Sequence, residues 1–195
     1  MAFVLASNNP GKLREFEQLF TELGLEVVPQ AQFGVEDADE TGLSFIENAL
    51  IKARHASERT NQPAMADDSG IVVPVLKGAP GIYSARYSGK GDAASNETLL
   101  RALEGIEGAG RSAFYVAVIA LVKHASDPMP IIAEGRWHGR IAKGLVGEGG
   151  FGYDPLFIPD GFKITAAQMT PDDKQALSHR AQALKALAPQ LNGLQ

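Results

Sequence analysis

The chain has no cysteine in its 195 residues, which excludes disulfide bonds and thiolate metal sites. It has no excess of positive charge either, because 18 Lys and Arg face 23 Asp and Glu for a formal net charge of −5. A nucleic-acid surface normally shows as a basic balance, so we expect no nucleic-acid partner. No apolar run approaches the ~18 residues of a membrane span, and the apolar start at residues 1–6 lacks the basic region of a signal peptide. These absences predict a soluble cytoplasmic protein without a membrane partner.

The composition is that of an ordinary globular protein. Hydrophobic residues make up 45% of the chain and charged residues 21%, which is enough to build a sizeable core. Since one domain typically takes about 100–200 residues, residues 1–195 are predicted to form a single domain. The 21 glycines indicate several loops whose backbone conformations other residues avoid.

Hydrophobic periodicity and capping signals predict an α/β protein. Asn9 followed by Pro10 is typical of a helix start, and Ser44 opens a capping box. The long β patterns at 113–123 and 130–139 are separated by a short turn and predict a hairpin, which makes the central sheet mixed. The other predicted elements are strands at 2–6 and 25–28, and helices at 10–24, 44–59, 92–103 and from residue 170 onward.

The segment PAMADDSGIVV, residues 63–73, places Asp67 and Asp68 between two short apolar runs. The local preference of Asp, Ser and Gly for turns predicts strand, turn and strand. Alternatively, a strand end carries one carboxylate to a metal or a proton, and a strand through Asp67 would send the two side chains to opposite faces. Mg²⁺ takes one or two carboxylates together with substrate oxygens, so a nearby phosphate-binding loop favours this second interpretation.

The segment SNNPGK, residues 7–12, leads from a predicted strand into a helix. Helix N-termini offer backbone N–H groups to anions, and Lys12 points to the inward side of the helix, where it needs a counter-anion. An ordinary capped turn fits the same spacing. Lys52, on the helix after Ser44, is equally open: it is either a second phosphate-binding cation or a border lysine that reaches solvent.

Residues 147–155, GEGGFGYDP, form a glycine-rich loop. Three of its glycines match the dinucleotide fingerprint as a string, but Phe151 to Pro155 cannot continue as the helix that this fingerprint requires. An aromatic flanked by glycines on a loop suits stacking against a base. Phe151 is therefore a candidate base-stacking residue, and the alternative is that it packs into the core.

The final predicted helix carries an arginine on its apolar stripe. Arg180 follows the inward-facing Leu177 by three residues, and an inward guanidinium needs a partner because it cannot become neutral. His179 lies about 100° round the helix from Arg180, and Lys174 lies on a third face. If the helix is continuous, the side chains of Lys174, His179 and Arg180 can meet only because they are long enough to reach round it. A break near Ser178 would also bring them together, but nothing in the sequence indicates one.

Six motifs together resemble the inosine triphosphate pyrophosphatase family over essentially the whole chain. Each motif is weak alone, whereas all six in order are specific, and no motif position departs from the family pattern. They are Ser7-x-Asn9-x-x-Lys12, Glu40-Thr41-Gly42 with Phe45-x-Glu47-Asn48-Ala49-x-x-Lys52-Ala53, Ala66-Asp67-Asp68-Ser69-Gly70, Gly78-Ala79-Pro80-Gly81-Ile82-Tyr83-Ser84-Ala85-Arg86, Gly150-Phe151-Gly152-Tyr153-Asp154-Pro155, and Ser178-His179-Arg180.

The resemblance implies an enzyme that hydrolyses non-standard purine nucleoside triphosphates such as ITP, dITP and XTP between the α and β phosphates. It implies Mg²⁺ as cofactor, a homodimer, and an elongated two-lobed α/β domain with a central mixed sheet flanked by helices. By the family pattern Asp68 is the proton acceptor, and Asp68 and Glu40 are the metal site. The implied substrate-binding residues are Ser7, Asn8, Asn9, Pro10, Gly11, Lys12, Lys52, Ser69, Phe151, Gly152, Tyr153, Asp154, Lys174, His179 and Arg180.

Two other functions stay open at this point. A related group of pyrophosphatases acts on modified pyrimidine nucleotides and has a similar fold, but its first loop is rich in arginine, and residues 7–12 contain none. A nucleotide-sensing module would bind its ligand without turnover. The loss of Asp68 or Lys12 would be typical of such a module, and both residues are present.

Overall fold

The structure, a computed structural model, describes residues 2–8, 10–22 and 25–191. None of the helices in this part of the chain is long and apolar enough to cross a membrane. The strands are β1 (Ala2–Leu5), β2 (Glu26–Pro29), β3 (Ala64–Val72), β4 (Ser112–Val122), β5 (Ile131–Ile141) and β6 (Phe157–Pro159). The helices are α1 (Pro10–Glu22), α2 (Phe45–Thr60), α3 (Asp92–Ala102), α4 (Pro171–Leu177) and α5 (His179–Leu191).

The strands form one six-stranded sheet in the order β2-β1-β3-β4-β5-β6. β1 pairs in parallel with β2, where Phe3 lies opposite Val27, and in parallel with β3. β6 pairs antiparallel with β5, where Arg140 lies opposite Ile158. Helices α1 and α2 contact β2 and β1 respectively. The predicted α/β fold with a mixed sheet flanked by helices is therefore confirmed, and the two strands of the predicted hairpin, β4 and β5, are neighbours in the sheet.

The chain divides into two compact units. Unit 1 comprises Met1–Asp68, Ala117–Gly135 and Ala183–Gln195, and unit 2 comprises Ser69–Val116 and Arg136–Gln182. The single domain over residues 1–195 stays a prediction.

Each unit has its own apolar core. In unit 1, Phe3 and Phe20 pack edge to face with ring centres 5.8 Å apart, and the core also takes in the buried Leu187 of α5. In unit 2, Trp137 and Phe157 pack edge to face at 5.2 Å. Full burial of a large apolar side chain contributes on the order of 1.5–3 kcal/mol, so each core fixes the strands and helices that carry the polar groups described below.

Strand β3 passes through Asp67 and Asp68 without interruption. The predicted strand, turn and strand over residues 63–73 is therefore wrong. Both carboxylates are buried, and the glycine that suggested a turn serves packing instead, since a Cβ on Gly70 would lie 2.5 Å from the carbonyl oxygen of Gly81. Tertiary contacts thus override the local turn preference of this segment.

The predicted final helix is in fact two helices. Ser178 separates α4 from α5 with an extended backbone (φ −60°, ψ 155°). Its Oγ accepts a hydrogen bond from the Ala181 N–H at 3.1 Å, which is the geometry of an N-cap. The prediction of one continuous helix is wrong, and so is the inward position of Leu177, which is 39% exposed. As a consequence, His179 and Arg180 occupy the first turn of a new helix.

Replacing Ser178 with Ala should lower the free energy of unfolding by about 1 kcal/mol, because α5 loses its N-cap acceptor. Urea denaturation measures the effect. Ser178→Thr is the matched control, since it keeps a hydroxyl that can accept the Ala181 N–H. An alanine variant as stable as wild type would contradict the N-cap role.

The capping signals in the sequence locate two helix starts correctly. Before α2, Ser44 Oγ accepts from the Glu47 N–H at 3.2 Å. Before α4, Thr170 accepts from a first-turn N–H in the same way at 3.2 Å. The predicted cap at Asn9 and the predicted helix stop at Gly24 lie outside the described residues.

Candidate active site

The predicted phosphate-binding segment lies in unit 1 between β1 and α1. Ser7 is buried and lies two residues after the end of β1, whereas Asn8 is exposed. Asn9 lies outside the described residues. Pro10 and Gly11 form the start of α1, where the first N–H groups have no partner inside the helix and suit an anion.

Lys12, in the first turn of α1, has the counter-anion that its inward position predicts. Its Nζ lies 3.0 Å from Asp67 Oδ2, and the side chains are 21% and 1% exposed respectively. This ion pair is much less screened than a surface pair because one partner is almost completely buried. It holds a cation beside the end of β1.

Lys52 lies between two acidic side chains in unit 1. Its Nζ is 2.7 Å from Glu40 Oε1 and 3.5 Å from Asp68 Oδ1, with the lysine side chain only 13% exposed. The interpretation of Lys52 as a border lysine that reaches solvent is therefore wrong. We refer to Glu40, Lys52 and Asp68 as the Lys52 cluster.

The Lys52 cluster shifts the pKa values of its members. Burial raises the pKa of Asp68, and the charge of Glu40 raises it further, while Lys52 opposes both. Burial lowers the pKa of Lys52, but the negative charges around it, Asp68 first, outweigh burial and raise the pKa. A carboxylate with a raised pKa accepts a proton more readily, as a general base must. The lysine keeps its positive charge, which suits a phosphate.

The chain segment that carries Glu40 is pressed against the start of α2. The Gly42 N–H donates to Asn48 Oδ1 at 2.9 Å, and Asn48 is completely buried. A Cβ on Gly42 would lie 2.6 Å from the Cβ of Glu47, so no larger residue fits there without a shift. This explains why a glycine two residues after Glu40 and an asparagine four residues before Lys52 occur together in the sequence.

The carboxylates of Glu40 and Asp68 fit Mg²⁺ in donor type. Within the described ranges, no group of three or more His, Cys, Asp and Glu side chains could hold a metal ion by itself. Mg²⁺ commonly binds through only one or two carboxylates and takes its remaining ligands from water and phosphate oxygens. The residues present therefore fit Mg²⁺ bound together with a phosphorylated substrate.

In unit 2, Asp154 brings together the loop of residues 147–155 and helix α4. Its buried carboxylate forms an ion pair with Lys174 Nζ and accepts the Phe151 N–H at 2.9 Å. Lys174 Nζ in turn lies 4.4 Å from the centre of the Phe151 ring. Three of the predicted substrate-binding residues thus form one contact group.

The aromatic residues of this loop have different environments. Phe151 is 65% exposed, so its alternative interpretation as a core residue is wrong and much of its ring is accessible. Tyr153 is buried, and its hydroxyl donates to the Ser84 carbonyl oxygen at 2.8 Å. Burial also raises the pKa of Tyr153 to about 12. The Tyr153 side chain therefore anchors the loop, while the Phe151 side chain projects from it.

Tyr115 on β4 belongs to this group, although no motif in the sequence marks it. Its ring stacks on His179 with centroids 4.8 Å apart and planes 12° from parallel. Its hydroxyl donates to Asp154 Oδ1 at 3.4 Å. Burial, with the Asp154 charge adding, raises the pKa of Tyr115 well above its ordinary value, so the hydroxyl keeps its proton. A buried tyrosine usually finds a polar partner for its hydroxyl, and this was the one available signal.

The remaining predicted residues of unit 2 are Ser69, Gly152, His179 and Arg180. Gly152 lies in the loop next to Phe151 with φ +60°. Ser69 is half-buried on β3. His179 and Arg180 are both buried in the first turn of α5, and His179 joins the Asp154 group through Tyr115. Lys174 therefore contacts Asp154 directly, and His179, on the other side of the break at Ser178, reaches Asp154 through Tyr115.

The protein has an α/β fold and two groups of candidate site residues. One is the Lys52 cluster, and the other joins aromatic, lysine and aspartate side chains around Asp154. Charged groups for phosphates and an exposed aromatic ring for a base define a class of protein that is suited to bind nucleotides. The chain belongs to the Ham1 family, which residues 3–190 match. This confirms the family resemblance seen in the motifs.

Known relatives and solved structures are similar over nearly the whole chain. The dITP/XTP pyrophosphatase of Burkholderia pseudomallei is 56% identical over 193 residues, which cover 96% of this chain and 92% of that protein. The dITP/XTP pyrophosphatase of Thioalkalivibrio sulfidiphilus is 51% identical, with 99% and 100% covered. The structure of a HAM1 protein from Coxiella burnetii superimposes with a TM-score of 0.94 at 46% identity, with 99% of each chain covered.

Proposed function

We propose that this chain hydrolyses non-standard purine nucleoside triphosphates, such as ITP, dITP and XTP, to the nucleoside monophosphate and pyrophosphate. The Lys52 cluster carries the proposal, because it sets a buried carboxylate of raised pKa beside a lysine and a second carboxylate. The names of the relatives from Burkholderia and Thioalkalivibrio support the substrate class. Neither relative supports the alternative of a modified pyrimidine nucleotide.

Asp68 is the general base of the proposed reaction. It removes a proton from a water molecule while the water oxygen forms a bond to the α phosphorus. The bond from the α phosphorus to the bridging oxygen breaks, pyrophosphate leaves with that oxygen, the nucleoside monophosphate remains, and Asp68 then releases the proton to solvent. Lys12 and Lys52 bind the triphosphate, together with Ser7 and the N–H groups that start α1. Positively charged groups held in fixed positions stabilise the negative charge that develops as the bond breaks.

Glu40 and Asp68 are the proposed Mg²⁺ ligands, with the phosphate oxygens of the substrate completing the site. When bound, the ion supplies Lewis-acid polarisation of the phosphoryl oxygens and neutralises their charge. Lys52 holds both carboxylates in place at 2.7 and 3.5 Å.

The residues of unit 2 recognise the base in this proposal. Phe151 offers an exposed ring for stacking, which is insensitive to the identity of the base. Arg180 donates to the 6-oxo oxygen of hypoxanthine or xanthine, where adenine has an amino group that also donates. Three further side chains surround the base, namely those of Asp154, Lys174 and His179. The nucleotide also contacts Ser69, Gly152 and Tyr153.

We also propose that the protein acts as a homodimer in the cytoplasm, on the basis of the family resemblance. Sedimentation equilibrium measures the oligomeric state directly. A mass of twice 20.7 kDa is the expected result, and a monomer at all protein concentrations would contradict the dimer.

The function is tested by pyrophosphate release from a panel of ITP, XTP, dUTP, ATP and GTP, with Mg²⁺ and with the metal chelated. We expect rapid release from ITP and XTP, slow release from the other three, and loss of activity on chelation that is restored by added Mg²⁺. A preference for dUTP would favour the pyrimidine alternative. Binding of ITP without pyrophosphate release would favour the sensing module, and activity unchanged by chelation would contradict the role of Mg²⁺.

A further inference from the structure

Both backbone polar groups of Gly152 are bound by side chains of α3. The Gly152 N–H donates to Asp92 Oδ2 at 2.8 Å, and the Gly152 carbonyl oxygen accepts from Asn96 Nδ2 at 2.8 Å. The two side chains come from positions i and i+4 of one helix, so they project from the same face. Gly152 is thus bound by two residues of α3, Asn96 and Asp92, which lie 56 and 60 positions before it in the sequence.

The geometry at Asn96 requires an amide. Its Nδ2 donates to the Asp92 carbonyl oxygen at 2.9 Å as well as to the Gly152 carbonyl oxygen at 2.8 Å. Both N–H groups of the side chain are therefore used on two carbonyls, and the residue is 3% exposed. A carboxylate at this position has no proton to donate and would repel both oxygens.

α3 is itself a firm support for these contacts. Leu99 and Leu103, one and two turns after Asn96, are completely buried in the core of unit 2. Gly152 has φ +60°, a conformation that L side chains rarely adopt, so the loop reaches α3 at a position where only glycine is unstrained. A rigid helix therefore holds the loop at the residue that follows Phe151.

We propose that Asp92 and Asn96 are positioning residues for base binding, which hold Phe151 where it stacks on the purine. This inference rests on the proposed function. Phe151 is 65% exposed, and its ring lies beside Lys174 Nζ, whose own position depends on the ion pair with Asp154. The two bonds to Gly152 instead fix the backbone from which the ring projects, and they do not involve the phosphate-binding residues of unit 1.

Four variants of α3 test the inference. Asp92→Ala and Asn96→Asp each remove one bond to Gly152. Asp92→Asn keeps an acceptor oxygen for the Gly152 N–H and serves as the conservative replacement, and Glu97→Gln removes a charge from an exposed position of the same helix. Three properties are measured for each variant: the KM for ITP, the Ki of inorganic tripolyphosphate, and the hydrogen exchange of the peptide that spans residues 147–155.

We expect Asp92→Ala to raise the KM for ITP by about three- to tenfold, the effect of one lost hydrogen bond, and Asn96→Asp to raise it further. The Ki of tripolyphosphate, which has no base, should stay within twofold of wild type in all four variants. Exchange in residues 147–155 should be faster in Asp92→Ala and Asn96→Asp. Asp92→Asn and Glu97→Gln should resemble wild type in all three measurements.

If wild type hydrolyses ITP and Asp92→Ala keeps both its KM and its slow exchange, the inference is wrong while the proposed function stands. An equal rise in KM and in the Ki of tripolyphosphate would mean a general structural role and would also overturn it. A wild-type protein that releases no pyrophosphate from any nucleotide of the panel would overturn the proposed function first, and the inference with it. Should Asn96→Asp fail to fold, the alanine and asparagine variants of Asp92, which is exposed, still test the inference.

Discussion

Replacing Asp68 with Asn should lower kcat for ITP by about 10²- to 10⁴-fold, the range that a positioned general base contributes. The amide keeps the size of the side chain but cannot accept the proton of the attacking water. The pKa of Asp68 is raised by its burial, so the wild-type carboxylate is a better base than an exposed aspartate. Steady-state pyrophosphate release from ITP with saturating Mg²⁺ measures the change.

Asp67→Asn is the matched control, because Asp67 is the preceding residue of the same strand. Successive strand residues point to opposite faces, and Asp67 pairs with Lys12 at 3.0 Å, whereas Asp68 lies near Lys52. We expect Asp67→Asn to raise KM through the weakened support of Lys12 and to change kcat less than Asp68→Asn does. Near-normal turnover by Asp68→Asn, or equal losses of kcat in both variants, would remove Asp68 as the base.

Replacing Arg180 with Ala should lower kcat/KM for ITP by about 5- to 150-fold while changing the much lower kcat/KM for ATP by less. A charged donor left without its acceptor in a buried site costs about 1–3 kcal/mol, and adenine presents a donor where hypoxanthine presents an acceptor. The wild-type enzyme bears this cost with ATP, but the alanine variant does not. Sites that pair a buried polar group with the substrate discriminate strongly for this reason.

The ratio of kcat/KM for ITP to that for ATP is the decisive quantity, since it cancels any general loss of folded protein. Arg180→Lys is the control, because it keeps the charge and loses the planar fork, and an intermediate ratio is expected. Equal losses toward ITP and ATP in the alanine variant would assign Arg180 to the structure of α5 instead of to base recognition.

Local signals in the sequence were sufficient for β1, β2, β4 and β5, for most helix starts and for the mixed sheet, but not for the uninterrupted β3 or for the short β6. Ser44 and Thr170 each accept the N–H group that their capping patterns predict. The exception is Ser178, which caps α5 in the same way. It was overlooked because Leu177 and Arg180 fit the period of a single helix, and a continuous apolar stripe outweighed one serine.

The site was predictable where its residues lie close together in a motif, and not where they meet through the fold. The carboxylates of Asp67 and Asp68 are tolerated inside a strand because lysines from other elements lie within 3.0 and 3.5 Å, and no local pattern shows this. Tyr115 meets Asp154 across 39 positions of sequence. Asp92, likewise, meets Gly152 across 60 positions of sequence.

The position of bond cleavage tests the account most directly, because both lysines and Asp68 are assigned to the linkage between the α and β phosphates. Phosphorus-31 NMR of ITP turned over by the wild-type protein with Mg²⁺ identifies the products. Inosine monophosphate and pyrophosphate in equal amounts, without the diphosphate at any time, are the result we predict. Inosine diphosphate with inorganic phosphate would contradict the account.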